Sequence, residues 1–366
     1  MNTYIPVYQP DLSGNEKLYV NECLDTSWIS SKGRFVTEFE EKFARAVESP
    51  FAVSVSNGTV ALHLALLALG IGAGDEVIVP SFTYIASVNA IHYVGAIPVF
   101  VDIEPLSWQL DSKLIERHVT ANTKAIMAVH IYGHPCDMPA IQKIARKHNL
   151  YLVEDCAEAF GAKIAGRHVG NFSDISTYSF FGNKTMTTGE GGMVVTNDPT
   201  LDAKLRHLKG QGLMVDREYW HDIVGYNYRM TNICAAIGLA QLERSQYFLS
   251  RKAQVADYYR TQLANLPLTF QEIQHDVTHP WWMFSVLTED AIQRDTLRKH
   301  LQDDGIETRP LFNPVHKMPM YSQDNLTLPV TESIYCRGIN LPSWPGLSDQ
   351  QLSQIVSSIR KFYAGN

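Results

Sequence analysis

Short, continuous apolar segments recur through the first two-thirds of the chain and limit its possible folds more than any other feature. The clearest cover Phe51–Val55, residues 76–79 and residues 150–154, and similar ones cover residues 98–101, 124–131 and 192–196. Strands without alternating polar residues are typical of parallel sheets that are covered on both faces. We therefore predict an α/β fold with a mostly parallel sheet flanked by helices.

Two segments between these strands have the pattern of helices with defined ends. Residues 59–69 are followed by Gly70, and a second helix begins after Asp137 and ends before Asn149. Aspartate is a favourable N-cap, and glycine and asparagine often end helices. Strands that alternate with such helices are typical of the α/β class.

The pattern changes after about residue 231. A long helical stretch over residues 231–263 is followed by a predicted strand at 282–287 and predicted helices at 290–303 and 348–362. A chain of 366 residues is also long for a single core. We predict a large α/β domain over residues 1–245 and a smaller α+β domain over residues 246–366.

Composition argues against several classes of protein. The net charge of −7 is unlike that of a nucleic-acid-binding protein, which usually carries a basic face. The apolar stretches are too short to span a membrane, and the N-terminal residues lack the pattern of a signal peptide, so we expect none. The five cysteines are scattered without a CxxC pair, as in proteins of reducing compartments. We expect a cytoplasmic protein with neither nucleic acid nor membrane as a partner.

The turn from Ser56 to Thr59 joins a predicted strand to a predicted helix. Helix N-termini have unpaired N–H groups and bind anions, and Gly58 allows close approach of the backbone. Gly58 and Thr59 are therefore candidates for holding a phosphate. A helix that is capped and binds nothing is the alternative.

Asp155 follows the buried segment 150–154, and Lys184 lies about thirty residues further on. A lysine amine can form a Schiff base with an aldehyde, and an aspartate at the end of a strand can hold a pyridinium nitrogen. Together the two residues suggest pyridoxal phosphate, which requires both groups. Glu158 could face the phenolic oxygen of the same ring. Asp155 could instead cap a following helix.

Lys184 lies among residues that suit this chemistry. An amine attacks an aldehyde only when neutral, and burial beside Phe180 and Phe181 would favour the neutral form. Ser179 could donate to the cofactor phosphate, and Tyr84 could stack on the ring or be an ordinary core tyrosine. A lone lysine near glycines usually lies on the surface, but the joint order and spacing of these residues favour a site.

Two further features have competing interpretations. His130, His134, Cys136 and Asp137 include potential zinc ligands, but the histidines lack the helical spacing of metalloproteases, so we predict no metal. Trp281 and its neighbour at 282 are more consistent with packing in the smaller domain than with ligand stacking.

These motifs resemble those of the DegT-type sugar-nucleotide aminotransferases, which are fold type I pyridoxal phosphate enzymes. The resemblance runs from about residue 5 to residue 362. Its most specific segments are SNGTVALHLA (56–65), PSFTYIAS (80–87), EDCAEA (154–159), SFFGNK (179–184) and GYNYRM (225–230). The family also includes dehydratases with histidine at the lysine position, so Lys184 favours transamination.

The resemblance implies a role for each candidate residue. Lys184 would be the catalytic residue and would carry the cofactor. Glu158 stands where many members have glutamine or histidine. The implied cofactor contacts are Asp155 at the ring nitrogen, Tyr84 over the ring, Gly58, Thr59 and Ser179 at the phosphate, and Asn227 from the second subunit of a homodimer whose active sites are shared.

The resemblance also implies substrates. L-Glutamate would be the amino donor, and the segments WISS (28–31), YGHPCDM (132–138), KGQG (209–212) and YWHD (219–222) are similar to the branch that aminates GDP-4-keto-6-deoxymannose at C4 for O-antigen synthesis. Arg309 and His316 are candidate sugar-nucleotide contacts, although Arg309 could instead form a buried structural ion pair. A UDP- or dTDP-linked 4-keto-6-deoxyhexose and a non-catalytic cofactor-binding sensor remain alternatives.

Overall fold

The structure is a computed structural model that describes residues 4–322 and 325–365. The helices are α1 (Glu16–Asp25), α2 (Arg34–Ala46), α3 (Gly58–Leu69), α4 (Ile85–Tyr93), α5 (Ser112–Ile115), α6 (Met138–His148), α7 (Pro199–Lys209), α8 (Asn232–Glu243), α9 (Ser245–Gln262), α10 (Ala291–Asp303), α11 (Pro329–Arg337) and α12 (Asp349–Ala364). The strands are β1 (Phe51–Val55), β2 (Glu76–Pro80), β3 (Ile97–Val101), β4 (Thr123–Val129), β5 (Tyr151–Asp155), β6 (Lys163–Ile164), β7 (Arg167–His168), β8 (Ile175–Ser179), β9 (Gly192–Thr196), β10 (Thr269–Phe270), β11 (Val277–Thr278), β12 (Phe284–Leu287), β13 (Arg309–Pro310) and β14 (Gly338–Leu341).

The largest sheet contains seven strands in the order β1-β9-β8-β5-β4-β2-β3. The five strands from β8 to β3 are parallel, whereas β9 is antiparallel to both β8 and β1. Most residues of the inner strands are buried, as expected for a sheet with helices on both faces. The predicted α/β fold with a mostly parallel sheet is confirmed.

The carboxyl ends of the central parallel strands meet at one edge of this sheet. β4 ends at Val129, β5 at Asp155 and β8 at Ser179. In open α/β sheets, ligands bind in the crevice beyond these ends. The topology therefore brings Asp155 and Ser179 to the edge where a ligand site is expected.

The predicted ends of two helices are confirmed. Asn57 caps α3 by accepting from the Val60 N–H (2.9 Å), and Gly70 ends the helix with a left-handed backbone (φ 76°). Asp137 caps α6, and Asn149 ends it with φ 53°. Side-chain caps and left-handed C-terminal residues satisfy backbone groups that the helix leaves unpaired.

The predicted long helix over residues 231–263 is instead two helices, α8 and α9, which meet at Arg244. The Arg244 guanidinium donates to Asp11 Oδ1 (2.7 Å) at this junction. Residues of α8 such as Leu239 pack in the core with α2, whereas the later turns of α9 pack against a second sheet. Helical periodicity continues through the junction, so it does not reveal the break between the two helices.

The second sheet is antiparallel, with the order β10-β12-β14-β13, and packs with α9, α10 and α12. Contacts cross the predicted domain boundary in both directions. Phe248 of α9 packs in the core of the large sheet, as does Ile334 of α11, whereas Ile5 packs in the second core and pairs with Ile306. The division between residues 245 and 246 stays a prediction.

Across residues 4–322 and 325–365, no helix is both long enough and apolar enough to span a membrane.

Candidate active site

A cavity of about 660 Å³ opens at the carboxyl edge of the large sheet. Eight of the ten predicted site residues line it: Gly58, Thr59, Tyr84, Asp155, Glu158, Ser179, Lys184 and Arg309. The other two, Asn227 and His316, do not. The fold thus brings together residues that are up to 251 positions apart, from Gly58 to Arg309, around one space.

Asp155 is a buried carboxylate held by two donors. Its Oδ2 accepts from the Ser87 hydroxyl (2.8 Å), and its Oδ1 accepts from the Ala157 N–H (3.1 Å). Because Ser87 gives its only proton to Asp155, its oxygen accepts from Thr83 Oγ1 (2.9 Å). Residues 156–162 form turns, so the alternative that Asp155 caps a helix is wrong.

Lys184 lies between β8 and β9 with its side chain 12% exposed. Its Nζ donates to Glu158 Oε1 (3.3 Å) and lies 4.0 Å from the centroid of the Trp282 ring. The main chain is fixed on both sides, since the Lys184 N–H donates to the Phe181 carbonyl and the Tyr8 hydroxyl donates to the Lys184 carbonyl. The amine is therefore held by a carboxylate and an aromatic face, which is a favourable position for a cation.

Glu158 is a buried carboxylate beside this amine. Its Oε2 accepts from the Tyr132 N–H (2.7 Å), and its Oε1 accepts from Lys184. Burial raises the pKa of Glu158 to about 7, although the Lys184 ammonium and the Tyr132 N–H act in the opposite direction. A carboxyl group with such a pKa can gain or lose a proton near neutral pH.

The turn before α3 can approach Ser179 closely because residue 58 is glycine. A Cβ atom at position 58 would lie 2.7 Å from the Ser179 Cβ. The first N–H groups of α3 have no partner within the helix. Among them, the Val60 N–H donates to the Asn57 side chain. The N–H groups of Gly58 and Thr59 and the Ser179 hydroxyl therefore lie close together at the positive end of a helix, which favours a phosphate.

Two further observations fit pyridoxal phosphate. Thr177 also lines the cavity, and its buried Oγ1 has no hydrogen-bond partner within residues 4–322 and 325–365. Buried polar atoms normally have partners, so this hydroxyl is suited to a bound polar group. Tyr84 is 55% exposed at the cavity, which excludes the core-tyrosine alternative. The residues present suit a flat, phosphorylated ring.

Arg309 lies on the cavity wall with its side chain 54% exposed. It pairs with Glu307 (3.3 Å), which is two residues away. The alternative interpretation of Arg309 was a buried structural ion pair. Arg309 does form an ion pair, but the pair is exposed. An exposed pair constrains the guanidinium weakly, and Arg309 stays a predicted sugar-nucleotide contact.

His316 is buried and does not line the cavity, so the prediction that it contacts a ligand is wrong. Its Nδ1 shares a hydrogen bond with Ser81 Oγ (2.6 Å), and its Nε2 lies 3.1 Å from Glu332 Oε1. Both ring nitrogens thus have protein partners, and neither is available to a ligand. The imidazole instead ties the segment after β13 to the ends of β2 and α11.

Asn227 lies outside the cavity of this chain. Its Oδ1 accepts from the Arg229 guanidinium (3.2 Å) in an exposed loop, and its backbone pairs with that of Gly210. The prediction that Asn227 completes the site of a second subunit therefore stays a prediction.

Sequence reasoning missed several residues of the site. Trp282 was predicted to pack in the smaller domain, yet its ring contacts the Lys184 amine and its Nε1 donates to the Asn183 carbonyl (2.8 Å). Ser87 and Thr177 were not singled out. Ser87 lies one α-helical turn after Thr83, a spacing that could have shown the two hydroxyls to be neighbours.

A cluster of potential metal ligands lies behind Asp155. His130, Glu154 and Cys156 are buried, with ligand atoms within 4.8 Å of one another. However, His130 Nε2 lies 3.0 Å from Glu154, and its Nδ1 accepts from the Cys136 N–H (3.0 Å). Glu154 also accepts from the Gly170 N–H (2.9 Å). The protein itself supplies partners for the His130 and Glu154 ligand atoms, as in a structural hydrogen-bond network.

Comparisons with known proteins identify the family of this chain. The model of the DegT/DnrJ/EryC1/StrS aminotransferase family matches residues 10–360. The chain is 60% identical over 361 residues to GDP-perosamine synthase from Escherichia coli O157:H7, with 99% of each chain covered. It is 49% identical over 363 residues to GDP-perosamine synthase from Vibrio cholerae, with 98% of this chain and 99% of the relative covered.

A solved structure has the same fold. Spr1654 from Streptococcus pneumoniae, in its PLP-form, has a TM-score of 0.94 to this chain at 27% identity, and the match covers 99% of each chain. The family that the sequence motifs indicated is confirmed. The chain belongs to the DegT/DnrJ/EryC1/StrS aminotransferase family.

Proposed function

We propose that this family member transfers an amino group from L-glutamate to C4 of GDP-4-keto-6-deoxy-D-mannose with pyridoxal phosphate as cofactor. The product would be GDP-perosamine, for use in O-antigen synthesis. The main support is the 60% identity to GDP-perosamine synthase over 99% of both chains. The cavity adds chemical support, because it contains a lysine amine 3.3 Å from a buried carboxylate.

The chain offers a contact for each part of the cofactor. When bound, pyridoxal phosphate supplies an aldehyde that takes up the amino group and a ring that withdraws electrons. Asp155 would bind the ring nitrogen, and its charge would favour the protonated ring. The other residues that would hold the group are Glu158, Tyr84, Gly58, Thr59 and Ser179.

Lys184 Nζ is the atom to which we assign proton transfer. Its tether inside the cavity gives it the proximity that a general base needs. An amine accepts a proton only when neutral, and Glu158 Oε1 is a carboxylate within reach of the Lys184 proton. With a pKa near 7, Glu158 could take that proton and return it.

Arg309 is the residue that we assign to the sugar nucleotide. Its exposed guanidinium lies on the cavity wall, where its planar set of donors suits a diphosphate. Pro310 and Phe312 line the same side of the cavity. This wall would therefore contact the nucleotide while Lys184 lies near the reacting carbon.

We further propose a homodimer with shared active sites. Large apolar side chains are exposed on the segment that ends at Asn227: Leu213, Val215, Tyr219, Trp220, Ile223 and Val224. Tyr219 is 92% exposed and Val224 is 88% exposed. Exposed apolar patches often mark protein interfaces. A second copy of the chain that covers this segment would also receive Asn227.

We place this reaction in the cytoplasm. All five cysteines are free thiols, and three of them, Cys23, Cys136 and Cys156, are buried. Free thiols are typical of proteins in a reducing compartment.

The decisive experiment is a substrate panel with the cofactor-loaded protein. L-Glutamate should discharge the absorbance of the lysine-bound cofactor. After glutamate is removed, GDP-, UDP- and dTDP-linked 4-keto-6-deoxyhexoses are added separately. We expect GDP-4-keto-6-deoxymannose to restore the absorbance fastest and to yield GDP-perosamine by mass spectrometry.

A pair of lysine variants controls for the site. Lys184→Ala should abolish the lysine-bound absorbance and the turnover, whereas Lys147→Ala should preserve both because Lys147 is an exposed partner of Glu116. Faster recovery with a UDP- or dTDP-linked sugar would replace the GDP assignment. Cofactor binding without transfer to any of the sugars would favour the sensor alternative.

A further inference from the structure

Tyr132 has a strained backbone next to the candidate active site. It lies in the turn Ile131–Gly133 after β4, with φ 55° and ψ 14°. This left-handed conformation is costly for a residue with a Cβ atom and free for glycine. It directs the Tyr132 N–H to Glu158 Oε2 (2.7 Å). A glycine at this position would place its N–H in the same way without the strain. The presence of tyrosine must therefore be explained by the contacts of its side chain.

The Tyr132 side chain is fully buried in a group of three aromatic rings, in which Trp282 and Phe312 also contact each other (centroids 6.3 Å apart). Its ring is nearly parallel to Trp282 (centroids 5.9 Å apart, planes at 15°) and to Phe312 (5.4 Å and 13°). The Tyr132 hydroxyl oxygen also accepts from the Phe312 N–H (2.9 Å). One side chain thus contacts both neighbours by stacking and fixes the main chain of one of them.

The two neighbours belong to different functional parts of the cavity. Trp282 contacts the Lys184 amine at 4.0 Å from its ring centroid. Phe312 follows Arg309 and Pro310 on the wall to which we assign the sugar nucleotide. The wall is also attached to β14, through the pairing of β13 and through the Pro310 carbonyl, which accepts from Asn340 Nδ2 (3.2 Å). The bond from the Phe312 N–H to Tyr132 attaches the wall to a different part of the protein, next to Lys184.

We propose that Tyr132 is a positioning residue that fixes the wall of Arg309, Pro310 and Phe312 relative to the Lys184 amine. The phenol oxygen holds the wall through Phe312, while the backbone N–H and the ring contact Glu158 and Trp282 on the lysine side. The inference rests on the proposed function in that the wall is taken to bind a sugar nucleotide.

Tyr132→Phe tests this role because it removes the phenol oxygen and keeps the ring and the backbone. The KM for the sugar nucleotide should rise about tenfold, since the Phe312 N–H loses its buried acceptor. The rate of the glutamate half-reaction and the absorbance of the bound cofactor should stay within about twofold, because the lysine side keeps its contacts. Hydrogen exchange at the Phe312 amide should become faster in the free protein.

Tyr259→Phe is the matched control. Tyr259 is also a fully buried tyrosine, and its hydroxyl donates to the Pro342 carbonyl (2.8 Å) in the second core. Both variants should lose similar thermal stability, but only Tyr132→Phe should change the KM and the Phe312 exchange. This contrast separates a positioning role from a general loss of stability.

Three outcomes would overturn the inference: an unchanged KM, equal losses in the two half-reactions, or unchanged exchange at Phe312. A preference for another sugar nucleotide would change the proposed function, and the same KM comparison would then use that substrate. If wild-type protein aminates none of the sugars, the proposed function fails, and the exchange measurement alone decides whether Tyr132 holds the wall.

Discussion

Glu158 Oε1 lies 3.3 Å from Lys184 Nζ, and the Glu158 side chain is only 5% exposed. Water therefore screens this pair poorly, and each group depends on the other for compensation of its charge. The Tyr132 N–H supplies the remaining contact of the carboxylate. The pair connects stability to pH, because burial and Lys184 have opposite effects on the pKa of Glu158.

Replacement of Glu158 by glutamine should change how the stability of the cofactor-free protein depends on pH. The ordinary pKa of the carboxyl group is 4.5, and in the fold it is about 7, so the folded state holds an extra proton between these values. The stabilisation is complete below pH 4.5 and is lost as pH rises through 7. Its size is on the order of 3 kcal/mol, and urea unfolding at pH 5 and pH 8 would measure it.

Glu158→Gln should remove this dependence, while Glu116→Gln, at an exposed ion pair, should retain it. Parallel stability profiles for wild type and Glu158→Gln would contradict the raised pKa.

Gly58→Ala should weaken cofactor binding. The new Cβ would lie 2.7 Å from the Ser179 Cβ, so the turn or the strand end has to move. Overpacking of this kind costs about 1–3 kcal/mol of stability. Because the movement would also displace N–H groups that we expect to hold the phosphate, Kd should rise roughly tenfold. A fluorescence titration with pyridoxal phosphate measures the effect. Gly72→Ala is the control, because its Cβ would be 3.9 Å from the Val94 carbonyl oxygen. Equal Kd values for the two variants would argue against a phosphate site at Gly58, Thr59 and Ser179.

Ser87→Ala should act through Asp155. The carboxylate would lose the hydroxyl that donates to Oδ2 at 2.8 Å. Hydrogen bonds to charged groups contribute about 1.5–3 kcal/mol, so we expect cofactor affinity to fall about tenfold and the absorbance titration of the bound cofactor to shift. Ser176→Ala should have little effect, because that buried hydroxyl has no partner within the described residues. An unshifted titration for Ser87→Ala would show that Asp155 is held adequately without it.

Asn227 can be tested by mixing two inactive variants. If Asn227 is supplied by the partner subunit, Lys184→Ala and Asn227→Ala dimers should regain activity together after subunit exchange. Random exchange gives half hybrids with one intact site each, so about a quarter of wild-type activity is expected. Lys184→Ala mixed with itself is the control. Absence of recovery despite verified exchange would place Asn227 in its own site or in none.

The sequence was informative where local rules decide structure. Asp137 was predicted as a helix start because its side chain can satisfy the first N–H groups. Asp155 was predicted at a strand end because a buried apolar segment stops there. Lys184 was found through its order and spacing relative to Asp155, which the fold converts into a shared cavity.

The sequence was less informative where distant segments meet. His316 was expected near a ligand, but its partner Ser81 is 235 positions away and nothing local indicates the contact. The contact between Tyr132 and Phe312 spans 180 positions. The junction of α8 and α9 at Arg244 likewise depends on which core each helix meets rather than on propensity. Tertiary packing overrides local preference in such cases.

The pairing of Ile5 with Ile306 has a consequence for dissection of the chain. A fragment that ends at residue 245 would keep Ile5 but lose the apolar surface that buries it, and the complementary fragment would lack that same side chain. Neither fragment contains the complete second core, so expression of the separate halves should give aggregation-prone products. A chimera that joins the C-terminal part of this chain to another member of the family would also have to include the N-terminal segment of this chain.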